Sequence, residues 1–322
     1  CSSDLLTTCV VILMAEVTIV GGECDFVYYK KNGYYSVSGV TGCSGEVNIP
    51  STYLDKPVTT IKADGFKNMP ITQLYIPSSV TTIGSRAFKN CTTLASVTLP
   101  TSLKYINDNA FYHCVSLESI LLPTTLKRIG EGAFSRCTKL EKIEMPNSLT
   151  SVGDGAFMYC TSLRDVTLSN SLGKLNDTMF GNCTALASIV IPNGITKILH
   201  YAFLWCTSLE AVSIPSSVTT IKGTAFKGCG SLRTVQYEGT VAPSYCNGAF
   251  STSVKAVKVP TGYSSTTFCG LSVVSRKCTP GSYNNIDGYS NPGTLNCTAC
   301  PEMTYTSVEG STSCKSCDSK CG

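Results

Sequence analysis

Hydrophobic positions recur along the chain with a period of about 23 residues. Nine phenylalanines mark the register, at spacings of 22 to 24 residues: Phe66, Phe88, Phe111, Phe134, Phe157, Phe180, Phe203, Phe226 and Phe250. A leucine follows six residues later and an aliphatic residue nine residues later, so that the unit reads L-x-x-V-x-L-P-x-x-V-x-x-I-x-x-x-A-F-x-x-C. Such a period predicts a repeat solenoid, in which stacked neighbours share one core because no unit buries its apolar face alone.

Each unit predicts one short β-strand. The L-x-x-V-x-L segment alternates with a period of two, which places Val and Leu inward and the intervening side chains outward. Proline usually follows and, lacking an N–H, is expected to end the parallel ladder there. The wider spacing of V-x-x-I-x-x-x-A-F predicts a return through irregular or single-turn helical structure. At about 4.8 Å between strands, nine units predict a sheet roughly 40 Å wide.

The repeat resembles the BspA-like (TpLRR-type) leucine-rich repeats of bacterial surface proteins, over roughly residues 33–274. This resemblance implies a leucine-rich-repeat horseshoe with a parallel β-sheet on the concave side. Two substitutions break the pattern in one unit, where Ser169 replaces proline and Met179 replaces alanine. The unit after Cys229 loses the Pro-x-x-Val-x-x-Ile run and carries Cys246, and we interpret it as a C-terminal cap.

The chain divides into three predicted segments. Residues 1–45 form a β-rich N-terminal cap, 46–277 form about nine repeat units, and 278–322 form a small cysteine-rich module that stops before it is complete. The first segment contains the apolar run from Leu5 to Val20, interrupted by Glu16. That run is either the remainder of a signal peptide or part of the cap. We favour the cap because Val, Ile and Thr dominate it.

A cysteine lies three residues after the phenylalanine in seven consecutive units: Cys91, Cys114, Cys137, Cys160, Cys183, Cys206 and Cys229. A metal array or redox relay is one interpretation of this column, and a structural role is the other. In-register stacking leaves Cβ atoms too far apart for the ~3.8 Å of a disulfide. Because cysteine also behaves as a small buried hydrophobe, we predict that the column belongs to the core and binds no metal.

The remaining cysteines and four sequons indicate an extracellular or cell-surface protein. Removing the seven repeat cysteines from nineteen leaves twelve, an even number compatible with disulfides. The disulfide candidates are Cys24, Cys43, Cys246, Cys269, Cys278, Cys297, Cys300, Cys314, Cys317 and Cys321. Asparagine-x-threonine sequons predict glycans on Asn90, Asn176, Asn182 and Asn296.

Two interpretations compete for the cysteine-rich tail. Its C-x₂-C-x₁₃-C-x₂-C spacing is close to that of a zinc ribbon. The tail also resembles the ephrin-receptor-like, EGF/TNF-receptor-type cysteine-rich repeat, through C-x-P-G-x-Y, C-x-x-C-P and S-C-x-x-C. We favour the disulfide module, for which the resemblance implies the pairs Cys278–Cys297 and Cys300–Cys314.

The sequence offers little chemistry for catalysis. Its two histidines, His113 and His200, occupy different columns of the repeat, and no nucleophile, phosphate-binding or metalloprotease motif occurs. The net charge of +4 is spread without a basic run, which argues against nucleic-acid binding. We therefore predict a protein that is not an enzyme, that needs no cofactor, and that meets a membrane only through an anchor outside this sequence.

Solenoids usually bind partners on their sheet. In each strand, two outward-pointing residues flank the central aliphatic residue. Among these outward residues, the candidates for partner binding are Tyr75, Leu121, Lys142, Glu144, Asp165, Val190 and Gln236. The favoured hypothesis is a secreted or cell-surface scaffold that binds a protein, either a surface receptor, a matrix protein or another copy. The alternatives are a structural subunit of an extracellular coat or filament, and a zinc-dependent intracellular adaptor.

Overall fold

The computed structural model describes residues 24–39 and 42–275, together with the strand residues 282–284, 297–299, 304–305 and 315–316. This part of the chain contains strands and turns but no helix. The strands are β1 (Phe26–Lys31), β2 (Tyr34–Gly39), β3 (Gly45–Asn48), β4 (Thr52–Tyr53), β5 (Lys56–Ile61), β6 (Ile71–Tyr75), β7 (Thr82–Ile83), β8 (Ser96–Thr98), β9 (Tyr105–Ile106), β10 (Arg128–Ile129), β11 (Lys142–Glu144), β12 (Ser151–Val152), β13 (Asp165–Thr167), β14 (Lys174–Leu175), β15 (Ser188–Val190), β16 (Lys197–Ile198), β17 (Ala211–Ile214), β18 (Thr220–Ile221), β19 (Thr234–Tyr237), β20 (Ala256–Val259), β21 (Thr267–Phe268), β22 (Leu271–Ser275), β23 (Ser282–Asn284), β24 (Cys297–Ala299), β25 (Thr304–Tyr305) and β26 (Lys315–Ser316).

The L-x-x-V-x-L segments form the first face of a parallel β-solenoid, as predicted. Hydrogen-bonded neighbours on this face are β3-β6-β8, β11-β13 and β15-β17-β19-β20-β22. Partners lie one unit apart, so that Leu74 pairs with Val97 and Ile189 with Val212. The unit between β8 and β11 contributes a single parallel bridge from Ser119. The predicted repeat solenoid is confirmed.

A second parallel sheet corrects the prediction for the return segment. The dipeptide that ends at the isoleucine position of V-x-x-I is a two-residue strand, and these strands pair as β7-β9-β10-β12 and β14-β16-β18. The six-residue strands β2 and β5 extend the first of these series, in the order β2-β5-β7. The expected irregular or helical return is therefore wrong at this position. Backbone groups need partners, and in a solenoid the available partners lie one unit away. A strand forms backbone hydrogen bonds with the same dipeptide of the next unit, whereas a helical turn forms them only within itself.

The turn side of the solenoid comprises the residues from two before to two after each phenylalanine. Both end positions adopt left-handed backbone, for example Arg86 at φ 57° and Asn90 at φ 60°. Their N–H groups donate to carbonyls of the next unit, from Arg86 to Asp108 at 2.9 Å and from Asn90 to Tyr112 at 2.8 Å. The turns therefore continue the inter-unit hydrogen bonding around the third side.

Columns of buried side chains fill the core between these three sides, and two of them are the phenylalanines and the cysteines. The phenylalanine rings stack from unit to unit, with centroids 4.9 to 5.7 Å apart between Phe66 and Phe250. The seven repeat cysteines are free and fully buried. Each thiol donates to the phenylalanine carbonyl of the preceding unit, as Cys114 does to Phe88 at 3.2 Å. Burial raises the pKa of the Cys137 thiol to about 12.

Both ends of the core carry a disulfide. At the N-terminal end, β1 and β2 form an antiparallel hairpin through Asn32-Gly33, both with positive φ as a two-residue hairpin turn requires. Cys24 and Cys43 are bonded there. At the other end Cys246 is bonded to Cys269, beside Phe268, which packs against the last ring of the column.

Candidate functional site

The first face presents the outward strand positions as two columns of side chains. Most are small and polar, but Leu121 is 79% exposed and Val190 is 77% exposed. Tyr75 is 41% exposed, and its hydroxyl donates to Gln73 at 3.3 Å. Exposed apolar side chains of this size lose water when a partner covers them, which makes them the candidate anchors of the face.

These three side chains share a column but do not touch. Two units lie between Leu121 and Val190, which places them about 15 Å apart at a strand spacing of ~4.8 Å. One unit separates Tyr75 from Leu121, or roughly 10 Å at the same spacing. The structure therefore supplies three separated anchors along one line and not one apolar patch.

Charged residues lie between the apolar anchors. Lys142 Nζ is 2.6 Å from Glu144 Oε1 within β11, and Lys142 is paired in register with Asp165 of β13. The hydrogen bond to Glu144 and the nearby carboxylates raise the pKa of Lys142. Because the two side chains of the ion pair are more than half exposed, solvent weakens their attraction. The cluster carries two carboxylates against one ammonium and can complement a basic group on a partner.

Gln236 lies apart from this cluster, near the C-terminal end of the first face. It lines a small cleft of about 140 Å³ together with Tyr237, Glu238, Lys258 and Pro260. The structure thus brings together Lys142, Glu144 and Asp165 of the predicted site residues. The other four predicted residues, Tyr75, Leu121, Val190 and Gln236, lie at separate positions on the same face.

The turn side holds exposed aromatic residues that the sequence-based prediction did not include. Tyr201 and Trp205 on this side are 38% and 50% exposed, and Tyr245, which aligns with Ile221 of the second sheet, is 74% exposed. All three have left-handed backbone, with φ of 58°, 55° and 60°, which costs a bulky L-residue roughly 1–2 kcal/mol. One sequence signal was available, because Trp205 is the only tryptophan and occupies the position that asparagine takes two residues after Phe88.

The described residues contain no group of three or more His, Cys, Asp and Glu side chains that could hold a metal ion. His113 lies on the turn side, two residues after Phe111, and His200 directly precedes that side, three residues before Phe203. His200 Nδ1 is 2.9 Å from the carbonyl of Gly223 and must donate, since a carbonyl only accepts. The arrangement can bind a partner through a rigid face.

Comparison with known proteins agrees with this geometry. The sequence profile of the BspA-type leucine-rich repeat region matches three overlapping stretches of the chain, residues 59–187, 127–257 and 174–286. The chain belongs to this family. A leucine-rich repeat protein from Bacteroides ovatus has 30% sequence identity and a TM-score of 0.58, over 80% of this chain and 76% of that one. The T. pallidum leucine-rich repeat protein also has 30% identity, with a TM-score of 0.52, over 64% of this chain and 87% of that one. No curated protein sequence matches.

Several predictions for this BspA-type repeat protein fall on residues that the structure does not describe. Cys278, Cys300, Cys314, Cys317, Cys321 and Asn296 lie outside the described residues, as does the side chain of Cys297. The disulfide module of the tail therefore stays a prediction. Among the described residues, no helix is both long and apolar enough to cross a membrane.

The three described sequons differ in the surroundings of their asparagine. Asn90 and Asn182 are half-exposed on the turn side. Asn90 Nδ2 donates to Asn68 at 2.9 Å, and a glycan on this nitrogen leaves one hydrogen for that bond. Asn176 Nδ2 instead donates to the backbone carbonyl of Val152, and its buried Oδ1 finds no partner among the described residues. The amide group of Asn176 is therefore turned into the fold.

We expect glycans on Asn90 and Asn182 but not on Asn176 when the repeat protein passes through a eukaryotic secretory pathway. The oligosaccharide transferase needs an outward-facing amide, and turning the Asn176 amide outward would give up its bond to Val152. Enzymatic deglycosylation in H₂¹⁸O followed by mass spectrometry marks each occupied asparagine. Full occupancy of Asn176 in folded protein would contradict the inward orientation of its amide group.

Proposed function

We propose that this repeat protein is a secreted or cell-surface scaffold that binds a protein partner on its first face. The observation that carries the proposal is the exposure of Leu121 and Val190, each more than three-quarters accessible. Val190 is the last residue of β15, and Leu121 lies between the buried residues Ile120 and Leu122, so that the core holds both positions in place. A rigid sheet loses little conformational entropy when a partner binds. Most of the free energy gained by burying apolar anchors on such a sheet therefore contributes to affinity.

The neighbours of the anchors support the same surface. Thr98, Thr167 and Ser213 occupy other positions of the anchor column, and their small side chains let a partner approach the sheet closely. Glu144 and Asp165 lie between the anchors and favour a partner with a basic group at that point. This combination of spaced apolar anchors and a central charge suits a folded protein surface better than a small molecule.

The proposed extracellular location rests on the cysteines. Cys24–Cys43 and Cys246–Cys269 are disulfides, and such bonds persist mainly in oxidising compartments. The division into a cap (1–45), repeats (46–277) and a cysteine-rich module (278–322) is part of this proposal. So is the assignment of the tail to an extracellular disulfide module and not to a zinc site.

Self-association is the second candidate, because a coat or filament subunit uses a similar face. Sedimentation velocity over a range of protein concentrations separates the two. A filament subunit gives large, concentration-dependent species that substitution of Leu121 and Val190 breaks up into monomers, whereas a scaffold for another protein stays monomeric.

The substitutions Leu121→Ser and Val190→Ser together are expected to weaken partner binding about 10- to 100-fold, because two central anchors are lost. Biolayer interferometry against a panel of purified matrix proteins and receptor ectodomains measures the effect. Tyr105→Ser is the matched control, since Tyr105 is 43% exposed on the second sheet. Binding that survives the first-face substitutions but is lost with Tyr105→Ser would place the partner on the opposite face.

A further inference from the structure

A cleft of about 490 Å³ opens between the last complete repeat unit and the C-terminal end of the solenoid. It is lined by His200, Lys222, Gly223, Ala242, Pro243, Tyr245, Cys246, Asn247, Ser265, Thr267, Cys269 and Gly270. None of these residues belongs to the first face. The volume lies within the ~300–1,000 Å³ range of small-molecule sites. The Cys246–Cys269 disulfide forms part of its wall and holds the two sides together.

The cleft carries positive charge without a compensating carboxylate. Lys222 is among its lining residues, and no Asp or Glu is. None of the ion pairs seen in the described part of the chain involves Lys222. Its ammonium lies 4.3 Å from the centroid of the Tyr245 ring instead. A lysine held over a ring and left without a carboxylate partner is placed to receive an anion.

Tyr245 is itself an unusual occupant of its position. Ser244 pairs with Thr220 in parallel, which puts Tyr245 in the column of the buried Ile221. The tyrosine turns outward instead, with φ 60° and 74% exposure. A left-handed backbone at an aromatic residue costs stability, and the exposed ring of Tyr245 gains no burial in return. Such local strain is found at ligand sites, where the exposed ring has a use.

The remaining polar groups of the cleft are neutral. Asn247, Ser265 and Thr267 offer an amide and two hydroxyls, which both donate and accept hydrogen bonds. The hydrogen bond from His200 Nδ1 to Gly223 fixes the imidazole and leaves Nε2 as its other polar atom. Groups that donate and accept match the hydroxyls of a sugar, while a single ammonium matches one carboxylate better than a doubly charged phosphate.

We propose that this cleft binds an acidic sugar, with Lys222 on the carboxylate, the Tyr245 ring against the C–H face of the pyranose, and Asn247 on the hydroxyls. The sugar is a free monosaccharide or the terminal residue of a glycan. The site is independent of the protein-binding first face, so that failure of one proposal leaves the other standing.

The test uses the full chain and N-acetylneuraminic acid and glucuronic acid as probes. Saturation-transfer-difference NMR and calorimetry are expected to detect both acids, with glucose and N-acetylglucosamine bound at least tenfold more weakly. Lys222→Met and Tyr245→Ala are each expected to lower affinity about tenfold or more, while Lys222→Arg keeps most of it. Sialyllactose bound more tightly than free N-acetylneuraminic acid identifies a glycan terminus as the source, and equal affinity identifies the monosaccharide.

The chain provides a matched control at its other end. Lys62 Nζ lies 3.8 Å from the centroid of the Tyr29 ring, in the same lysine-over-tyrosine arrangement, but neither residue lines this cleft. Lys62→Met and Tyr29→Ala should leave sugar binding unchanged. Thermal unfolding of every variant checks that the fold is intact. Equal binding of acidic and neutral sugars, or loss of affinity with Lys62→Met but not with Lys222→Met, overturns the proposal.

Discussion

Raising the pH from 9 to 11 is expected to unfold the solenoid. The seven thiols of the cysteine column are fully buried, and desolvation raises all of their pKa values. For Cys91, Cys137 and Cys229 the raised pKa is about 12. An unfolded thiol has a pKa near 8.5. The native state therefore holds these protons through a pH range in which the unfolded state releases them.

The direction of the effect follows from this difference. Below about pH 8.5 both states are protonated, and the contribution of the column to stability is complete. Between about 8.5 and 12 only the unfolded chain loses protons, so that each thiol costs roughly 1.4 kcal/mol of stability per pH unit. Cys91, Cys137 and Cys229 alone then remove about 4 kcal/mol per unit, against a total stability on the order of 5–15 kcal/mol.

Urea unfolding curves between pH 8 and pH 11, recorded under argon, measure this loss. The double variant Cys91→Ala and Cys229→Ala removes two thiols and should reduce the slope by roughly 3 kcal/mol per pH unit. The two substitutions leave every lysine and tyrosine in place, so the difference between the slopes belongs to the thiols. Equal slopes in the variant and the wild type would show that the thiols do not stabilise the fold through their protons.

The repeat register could be predicted because it depends on side chains that are fully buried and nearly invariant in size. Phe111, Phe134 and Phe157 each stack on the next unit, and any shift of one residue would move a ring out of the core. The first-face strands could be predicted for the same reason, from period-2 alternation around residues such as Ile143. The core role proposed for the cysteine column agrees with the seven buried, free thiols.

The second sheet could not be predicted, because two-residue strands are too short to show alternation. Arg128–Ile129 and Ser151–Val152 become strands only because each meets its copy in the next unit. The C-terminal cleft was missed for a related reason. Its lining comes from three successive units and the segment after them, and Tyr245 turns outward at a position where the repeat buries an aliphatic residue. The pairing of strands between units and the outward orientation of the Tyr245 side chain both depend on tertiary contacts.

The substitution Phe157→Ala is expected to cost about 3–5 kcal/mol of stability, the usual loss for removing a buried phenylalanine ring. Phe157 is fully buried near the middle of the column, with ring centroids 5.5 Å from Phe134 and 5.7 Å from Phe180. Deleting its ring removes two stacking contacts and leaves a cavity between two halves of the solenoid. At roughly 2–4 °C per kcal/mol for a chain of this size, the Tm should fall by about 10 °C.

The position of the ring in the column provides the control. Phe250 is partly buried near the C-terminal end, where it stacks on Phe226 alone and meets Phe268 at a tilt. Phe250→Ala is therefore expected to cost clearly less than Phe157→Ala. Because a solenoid is stabilised by contacts between neighbouring units, the central substitution should also broaden the transition as the halves uncouple. Calorimetry that gives equal losses for both variants would mean that ring stacking between units contributes little, and that local packing within each unit holds the repeat together.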